Sequence, residues 1–311
     1  MAGALGRLGL HIPPPEVAPD ESNPRGFYES QWVVDLHKEL LNRAPVYTID
    51  ARPTAAQLAA TAGADPAARR RVAAWLGEQA AYPQVLVKDP RAFWFHDMWQ
   101  AAAADAGREV SFLTMLRHPA EVARSRDVAY LAGETQEFRR QRTVASVAAW
   151  CNVAWETELA TRGAPRAMVR YRDLLADWRT TLREAARRLR IDLDADLAAG
   201  AHHPVDDFID TRLHRSQVTW DDTDVPDALR DLADQTWELM SRLADDPEDS
   251  AVGEELGRLR AGYAVMHDDA VAIATSHTNA REAHVRRTVK RNLGRTHREE
   301  LQRLRDDLDR S

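Results

Sequence analysis

The stretch FLTMLRHP, residues 112–119, decides the fold class of this chain. Its first five residues form an apolar run with the length and composition of a buried parallel strand. Arg117 and His118 end that run, and Pro119 is suited to the first position of a helix. A buried strand followed directly by a helix predicts an α/β domain with a parallel sheet.

Two further stretches repeat this arrangement on either side of the first. The runs at Val85–Val87 and Ala167–Val169 are predicted as short strands, each followed by a helix. Strands that alternate with helices indicate a parallel sheet covered by helices on both faces. Ligands of such sheets bind beyond the carboxyl ends of the strands, so the residues just after each run are the first candidates for a site.

The composition limits the classes of function. The 311 residues carry a net charge of -7, which argues against general nucleic-acid binding because no basic excess faces a phosphate backbone. Cys151 is the only cysteine, so neither an internal disulfide nor a cysteine metal cluster is expected. No secretory signal or membrane-spanning stretch is visible, and a cytoplasmic protein is the expectation.

The last part of the chain has a different pattern. Apolar residues recur at three- and four-residue steps, which predicts a long helix or a helical hairpin; they are Leu256, Leu259, Tyr263, Met266 and Ile273. We therefore expect an α/β domain over residues 1–250 and a helical extension over residues 251–311. The histidines of the extension are interpreted as a solvated face rather than a metal site, and its helices are candidates for self-association.

Three residues after the predicted strands have the chemistry of an anion site. Arg117 ends one strand and Ser125 lies in the second turn of the next helix, so both can reach one anion above the sheet. Lys88 ends the neighbouring strand and can reach a phosphate or sulfate as a point charge. The alternatives are a structural salt bridge for the arginine and a solvent-reaching strand-end side chain for the lysine.

Four stretches, taken in order, resemble sulfotransferases that use 3′-phosphoadenosine 5′-phosphosulfate (PAPS), particularly their bacterial branch. They are NPRGFYE (23–29), VKDPR (87–91), LRHPAEVARS (116–125) and VRYRDLL (169–175). The resemblance covers roughly residues 1–215. It implies a P-loop-type three-layer sandwich and transfer of a sulfuryl group from PAPS, without a metal, to a hydroxyl or amine. By analogy alone, the acceptor is expected to be a carbohydrate or a glycolipid.

The resemblance also implies roles for residues at the nucleotide. An arginine and a serine spaced like Arg117 and Ser125 bind the 3′-phosphate in that family. A lysine placed like Lys88 stabilises the bridging oxygen or the sulfuryl group. Arg212 and Arg215 resemble a late loop that can close over the nucleotide.

The resemblance implies that the base that deprotonates the acceptor is a histidine or a glutamate, depending on the branch of the family. Pro90 stands where some branches of the family have a histidine, two residues after the strand lysine. Glu29 is therefore the leading candidate, with His96 and Asp89 behind it. A carboxylate in this role must be partly desolvated to act near neutral pH.

The sequence departs from the family pattern in two places. The usual Tyr-Glu-Asp after the third strand is Tyr171-Arg172-Asp173, with a base in place of an acid. The family's first strand and phosphate-binding loop are absent before the helix predicted over residues 2–10, which leads us to expect a start further upstream. Two alternatives stay open, a nucleotide-dependent kinase on a similar sheet and a catalytically degenerate binding protein.

Overall fold

The computed structural model describes residues 1–21, 23–130, 133–198, 200–210 and 219–308. The chain divides into two compact units, Met1–Arg260 and Ala261–Ser311. The first unit is mostly helical and contains a small parallel sheet. None of the helices within the described ranges is both long and apolar enough to cross a membrane.

The first unit is built mainly from helices, with the strands set among them. The helices are α1 (Ala2–Arg7), α2 (Gln31–Arg43), α3 (Ala55–Gly63), α4 (Pro66–Glu78), α5 (His96–Asp105), α6 (Pro119–Tyr130), α7 (Gln136–Thr161), α8 (Tyr171–Ala176), α9 (Trp178–Leu189), α10 (Pro204–Phe208) and α11 (Asp227–Asp245). The strands are β1 (Phe112–Leu116), between α5 and α6, and β2 (Arg166–Arg170), between α7 and α8. Short 3-10 helices cover Ala92–Phe95 and Trp220–Asp222. The last helix, α12 (Ser250–Leu308), begins in the first unit and continues into the second.

The two predicted strands at residues 112–116 and 167–169 are confirmed, and they pair with each other. β1 and β2 are parallel, in a register that joins Phe112 to Arg166 and Leu116 to Arg170. Because both strands run the same way, Arg117 and Tyr171 follow them at the same edge of the sheet. The coarse prediction of an α/β fold with a parallel sheet is consistent with this arrangement.

The predicted strand at Val85–Val87 is wrong as a sheet strand. Only an isolated parallel bridge forms there, in which His11 donates to the Gln84 carbonyl at 3.2 Å and Leu86 donates to the His11 carbonyl at 2.7 Å. The next donor in a parallel ladder would be the backbone nitrogen of Pro13, which has no hydrogen. The pairing therefore stops after two hydrogen bonds.

Two predicted helices are also corrected at their ends. The first helix stops at Arg7 instead of reaching residue 10, and Gly9 takes φ +97° just beyond it, a conformation that favours glycine. The single helix expected after the strand at Ala167–Val169 is split at Asp177 into α8 and α9. Asp177 is non-helical, with φ -148°, and its carboxylate accepts the Thr180 amide at 3.1 Å, so it caps a new helix.

Two apolar clusters stabilise the first unit. One joins α1, β2 and the helices after β2, with Leu5, Val169 and Leu182 among its buried members. The other joins α2 to α5 and includes Leu40 and Phe95. The first cluster places the amino-terminal segment and the sheet in one core, beside which the candidate site residues lie.

Cys151 lies on α7 as a buried, small apolar side chain. Cys151 is fully buried, and this burial raises the pKa of its thiol to about 12. Trp155, one turn later, is also buried. A thiol with so high a pKa stays protonated near neutral pH and is a poor nucleophile.

Candidate active site

Lys88 and Glu29 form an ion pair in the structure, although 59 positions separate them. Glu29 lies two residues before the start of α2 and is largely buried, whereas the Lys88 side chain is 40% exposed. At the start of α1, burial lowers the pKa of the Met1 amino group, and the charge of Lys88 lowers it further. The pair therefore combines a nearly desolvated carboxylate with a cation that is open to solvent.

Tyr28, the residue before Glu29, belongs to a pair of packed aromatic rings. Tyr28, with φ +57°, packs edge-to-face on Phe208 at 5.7 Å between ring centroids. The guanidinium carbon of Arg7 lies 4.1 Å from the Phe208 ring centroid. Arg25 adds a hydrogen bond to the Phe208 carbonyl at 2.5 Å and an ion pair to Asp210 at 3.3 Å. These contacts fix the segment before α2 against α10.

Gly3 of α1 lies directly against the rings of Tyr28 and Phe208. A Cβ atom built at Gly3 would lie 2.6 Å from ring atoms of both Tyr28 and Phe208. We expect Gly3→Ala to lower the free energy of unfolding by about 1–3 kcal/mol, the usual cost of overpacking. Gly77→Ala in α4 is the control, because no atom of the described residues outside its chain neighbours and the nearby backbone of its own helix lies within 4 Å of the added Cβ. That control should leave the protein as stable or slightly more stable. Urea unfolding of both variants checks this, and equal midpoints would contradict it.

Arg117 lies at the end of β1, where the sequence predicts it. Its guanidinium carbon is 4.5 Å from the Tyr171 ring centroid, and its Nε is 3.7 Å from Glu121 of α6. That Nε is buried and has no hydrogen-bond partner among the described residues. Ser125 is exposed on the same helix, one turn after Glu121. The edge of the sheet thus presents a guanidinium with an unused buried donor.

Arg170, which ends the neighbouring strand, is engaged differently. It makes ion pairs with Asp173 and Asp245, and it also donates to the carbonyl of Ser241 at 2.6 Å. These contacts join β2 to α8 and α11. Arg170 therefore acts in packing, and the adjacent Tyr171 is the residue that faces Arg117.

A buried network holds the turn that follows Lys88. Both carboxylate oxygens of Asp89 accept from the Arg91 guanidinium at 3.0 Å, and the Arg91 amide donates to Asp89 at 2.6 Å. His37 Nδ1 lies 3.6 Å from the same carboxylate, and Trp99 donates to His37 Nε2 at 2.9 Å. Burial by itself raises the pKa of Asp89, but contact with His37 and the hydrogen bond from the Arg91 amide hold it below its usual range.

His96 contacts residues other than Lys88 and Glu29. Its ring nitrogens are 3.3 Å from the Phe93 carbonyl and 3.2 Å from the Asp97 carboxylate. Burial raises the pKa of Glu156, and the charges of Arg260 and His96 partly offset this effect. His96 therefore belongs to the surroundings of Glu156 on α7.

Sequence reasoning missed a second polar cluster next to Arg117. The Ala120 amide donates to His118 Nδ1 at 3.2 Å, so the neutral ring carries its proton on Nε2, 3.4 Å from Asp234. Trp220 donates to the same carboxylate at 2.8 Å. Burial lowers the pKa of His118, and Asp234 opposes that shift. The cluster joins the end of β1 to α11, and no local motif indicates it.

The predicted site residues thus form two groups. Lys88 contacts Glu29, and Arg117 contacts Glu121 and Tyr171; the hydrogen bonds, ion pairs and ring contacts of the described residues do not link the two groups directly. Arg212 and Arg215 lie outside the described residues. Within the described ranges, no three histidine, cysteine or acidic side chains are arranged to hold a metal ion.

Comparison with known proteins yields no relative of this chain. No family model matches it. Neither a curated protein nor a solved structure is significantly similar to it.

Proposed function

We propose that this chain is a PAPS-dependent sulfotransferase that transfers a sulfuryl group to a hydroxyl or amine of its acceptor. The observation that supports it best is the contact between Lys88 and Glu29. The resemblance assigns these two residues to one reaction, as cation and base, although they are far apart in the sequence. The proposal includes the finer fold, a P-loop-type three-layer sandwich, and an acceptor that is a carbohydrate or a glycolipid.

Arg117 and Ser125 form the nucleotide end of the proposed site. The Arg117 guanidinium lies over the Tyr171 ring, and its buried Nε has a hydrogen-bond donor to offer. A phosphate is a strong acceptor for such a charged donor. In this proposal they bind the 3′-phosphate of PAPS, while Arg212 and Arg215 contribute from the later loop.

The proposed chemistry is a direct transfer. The hydroxyl oxygen or amine nitrogen of the acceptor attacks the sulfur of PAPS, and its proton passes to the Glu29 carboxylate. The bond between sulfur and the bridging oxygen breaks, and its electron pair stays on the 5′-phosphate of adenosine 3′,5′-bisphosphate. Lys88 stabilises the charge that develops on that oxygen, and the release of Lys88 from Glu29 leaves the carboxylate free to accept the proton.

Binding of adenosine 3′,5′-bisphosphate tests the proposal directly. We expect Arg117→Ala to weaken this binding by about 1.5–3 kcal/mol, the usual range for a charge-assisted hydrogen bond. Isothermal titration calorimetry of the parent chain and the variant measures the difference. Arg69→Ala is the matched control, because Arg69 pairs with Asp105 on the surface of α4 and α5; its affinity should equal that of the parent.

Three outcomes would contradict the proposal. Equal affinity of the parent and Arg117→Ala would remove Arg117 from the site. Preferential binding of ATP over the bisphosphate would favour the kinase alternative. Tight bisphosphate binding without sulfuryl transfer to any sugar, lipid or amine acceptor would favour the degenerate binding protein.

A further inference from the structure

The segment of α12 from residue 281 to 298 is strongly basic, although the whole chain is acidic. These 18 residues contain seven arginines and lysines and one acidic residue, Glu282, whereas the net charge of the chain is -7. Every arginine and lysine of the segment whose side chain is described is exposed; they are Arg281, Arg286, Arg287, Lys290, Arg291 and Arg295. The segment thus concentrates positive charge along a single exposed helix.

An apolar stripe runs along one side of the same segment. Val285, Val289 and Leu293 are 57%, 50% and 66% exposed. At 3.6 residues per turn they fall within a sector of about 80° around the helix axis. Arg281 and Arg286 border this sector on its two sides, and Glu282, which also falls within it, lies 3.8 Å from Arg286. The arrangement is that of a basic amphipathic helix.

The geometry of the stripe decides among the surfaces it could contact. Its steps of four and four residues drift around the helix, whereas a coiled-coil seam alternates steps of three and four. The positions that would continue such a seam are polar, Asn292 and Thr296. A nucleic-acid backbone could pair with the basic borders but offers no apolar surface to cover the stripe between them. A bilayer with anionic headgroups matches both features, because its acyl boundary accepts the stripe and its headgroups attract the charges.

We propose that residues 281–298 of α12 lie on the surface of an anionic lipid bilayer. Val285, Val289 and Leu293 enter the acyl boundary, while the arginines and Lys290 contact lipid phosphates and carboxylates. The sequence from residue 264 onward contains no tryptophan, tyrosine or phenylalanine, so the apolar contribution is small and charge attraction dominates. Adsorption is therefore reversible and sensitive to salt. This inference does not depend on the enzymatic activity proposed above.

Cosedimentation of the full chain with vesicles tests the inference. Vesicles of equal parts phosphatidylserine and phosphatidylcholine should bind the chain at low salt, and pure phosphatidylcholine or raised salt should weaken binding at least about tenfold. The variant R286Q/R287Q/K290Q/R291Q should lower the partition coefficient about 100-fold or more, since each charge near such a surface adds severalfold. V285S/V289S should lower it less, by about tenfold.

A charge-matched control separates a local site from general attraction. R69Q/R71Q/R183Q/R187Q removes four exposed arginines from α4 and α9, and it should bind anionic vesicles like the parent. Equal loss in both quadruple variants would overturn the assignment to α12. Circular dichroism should show the parent's helix content in each variant.

Two other results would also overturn the inference. One is tighter binding to duplex DNA than to anionic vesicles, lost in R286Q/R287Q/K290Q/R291Q. The other is a dimer in light scattering that V285S/V289S dissociates, because the stripe would then be covered by a second copy.

Discussion

Replacement of Glu29 by glutamine should reduce sulfuryl transfer by a factor of about 100 or more, while bisphosphate affinity stays nearly unchanged. Glutamine has almost the shape of glutamate, so Tyr28 and the start of α2 keep their packing. The amide cannot accept the acceptor's proton, and this loss acts on turnover alone. Initial rates with PAPS, together with calorimetry using the bisphosphate, separate the two effects.

Glu39→Gln is the control for this experiment. Glu39 lies on α2, the helix that follows Glu29, and pairs on the surface with Arg71 at 2.9 Å. Its replacement makes the same change of charge and should leave turnover intact. Joint loss of turnover and nucleotide affinity in Glu29→Gln would indicate a structural role for the Lys88 pair. Full activity would move the search to His96, since both oxygens of Asp89 are already occupied by Arg91.

The parts of the fold that depend on residues adjacent in the sequence could be predicted from the sequence. The run at residues 112–116 forms β1, and Pro119 begins α6 as its first residue. The run at Val85–Val87 looks equally strand-like, yet its pairing ends because the opposite segment continues into Pro13. The identity of a strand's partner is not encoded in its own residues, and this is where the prediction was wrong.

The candidate site shows the same limit. Position and residue type sufficed to single out Arg117 and Lys88, because each follows an apolar run. The contact of Tyr171 with Arg117 depends on the parallel register of β1 and β2. The contact of His118 with Asp234 joins residues from opposite halves of the first unit, and no spacing in the sequence indicates it.

Asp89→Asn should have the largest effect on stability among single changes near the site. The Asp89 side chain is completely shielded from solvent, with Arg91 and His37 as its partners. Removal of the negative charge leaves the Arg91 guanidinium, whose side chain is only 16% exposed, without its counter-ion. Such a loss costs about 3–5 kcal/mol in buried pairs. Urea unfolding at neutral pH measures the difference in the free energy of unfolding. Because the turn carries Lys88, the surviving folded protein should also lose activity.

The pH dependence of the difference in the free energy of unfolding between the parent and Asp89→Asn identifies the electrostatic origin of that difference. The pKa of Asp89 is lower in the folded chain than its usual value, so its contribution is complete above about pH 4, the ordinary aspartate range, and is lost as the pH falls through the folded-state value. The gap between the parent and Asp89→Asn should therefore be widest near neutral pH and close progressively below about pH 4. Asp105→Asn, which breaks an exposed pair with Arg69, should show little loss at any pH. A gap that stays constant into the acid range would show that Asp89 stabilises the turn through shape alone, without its charge.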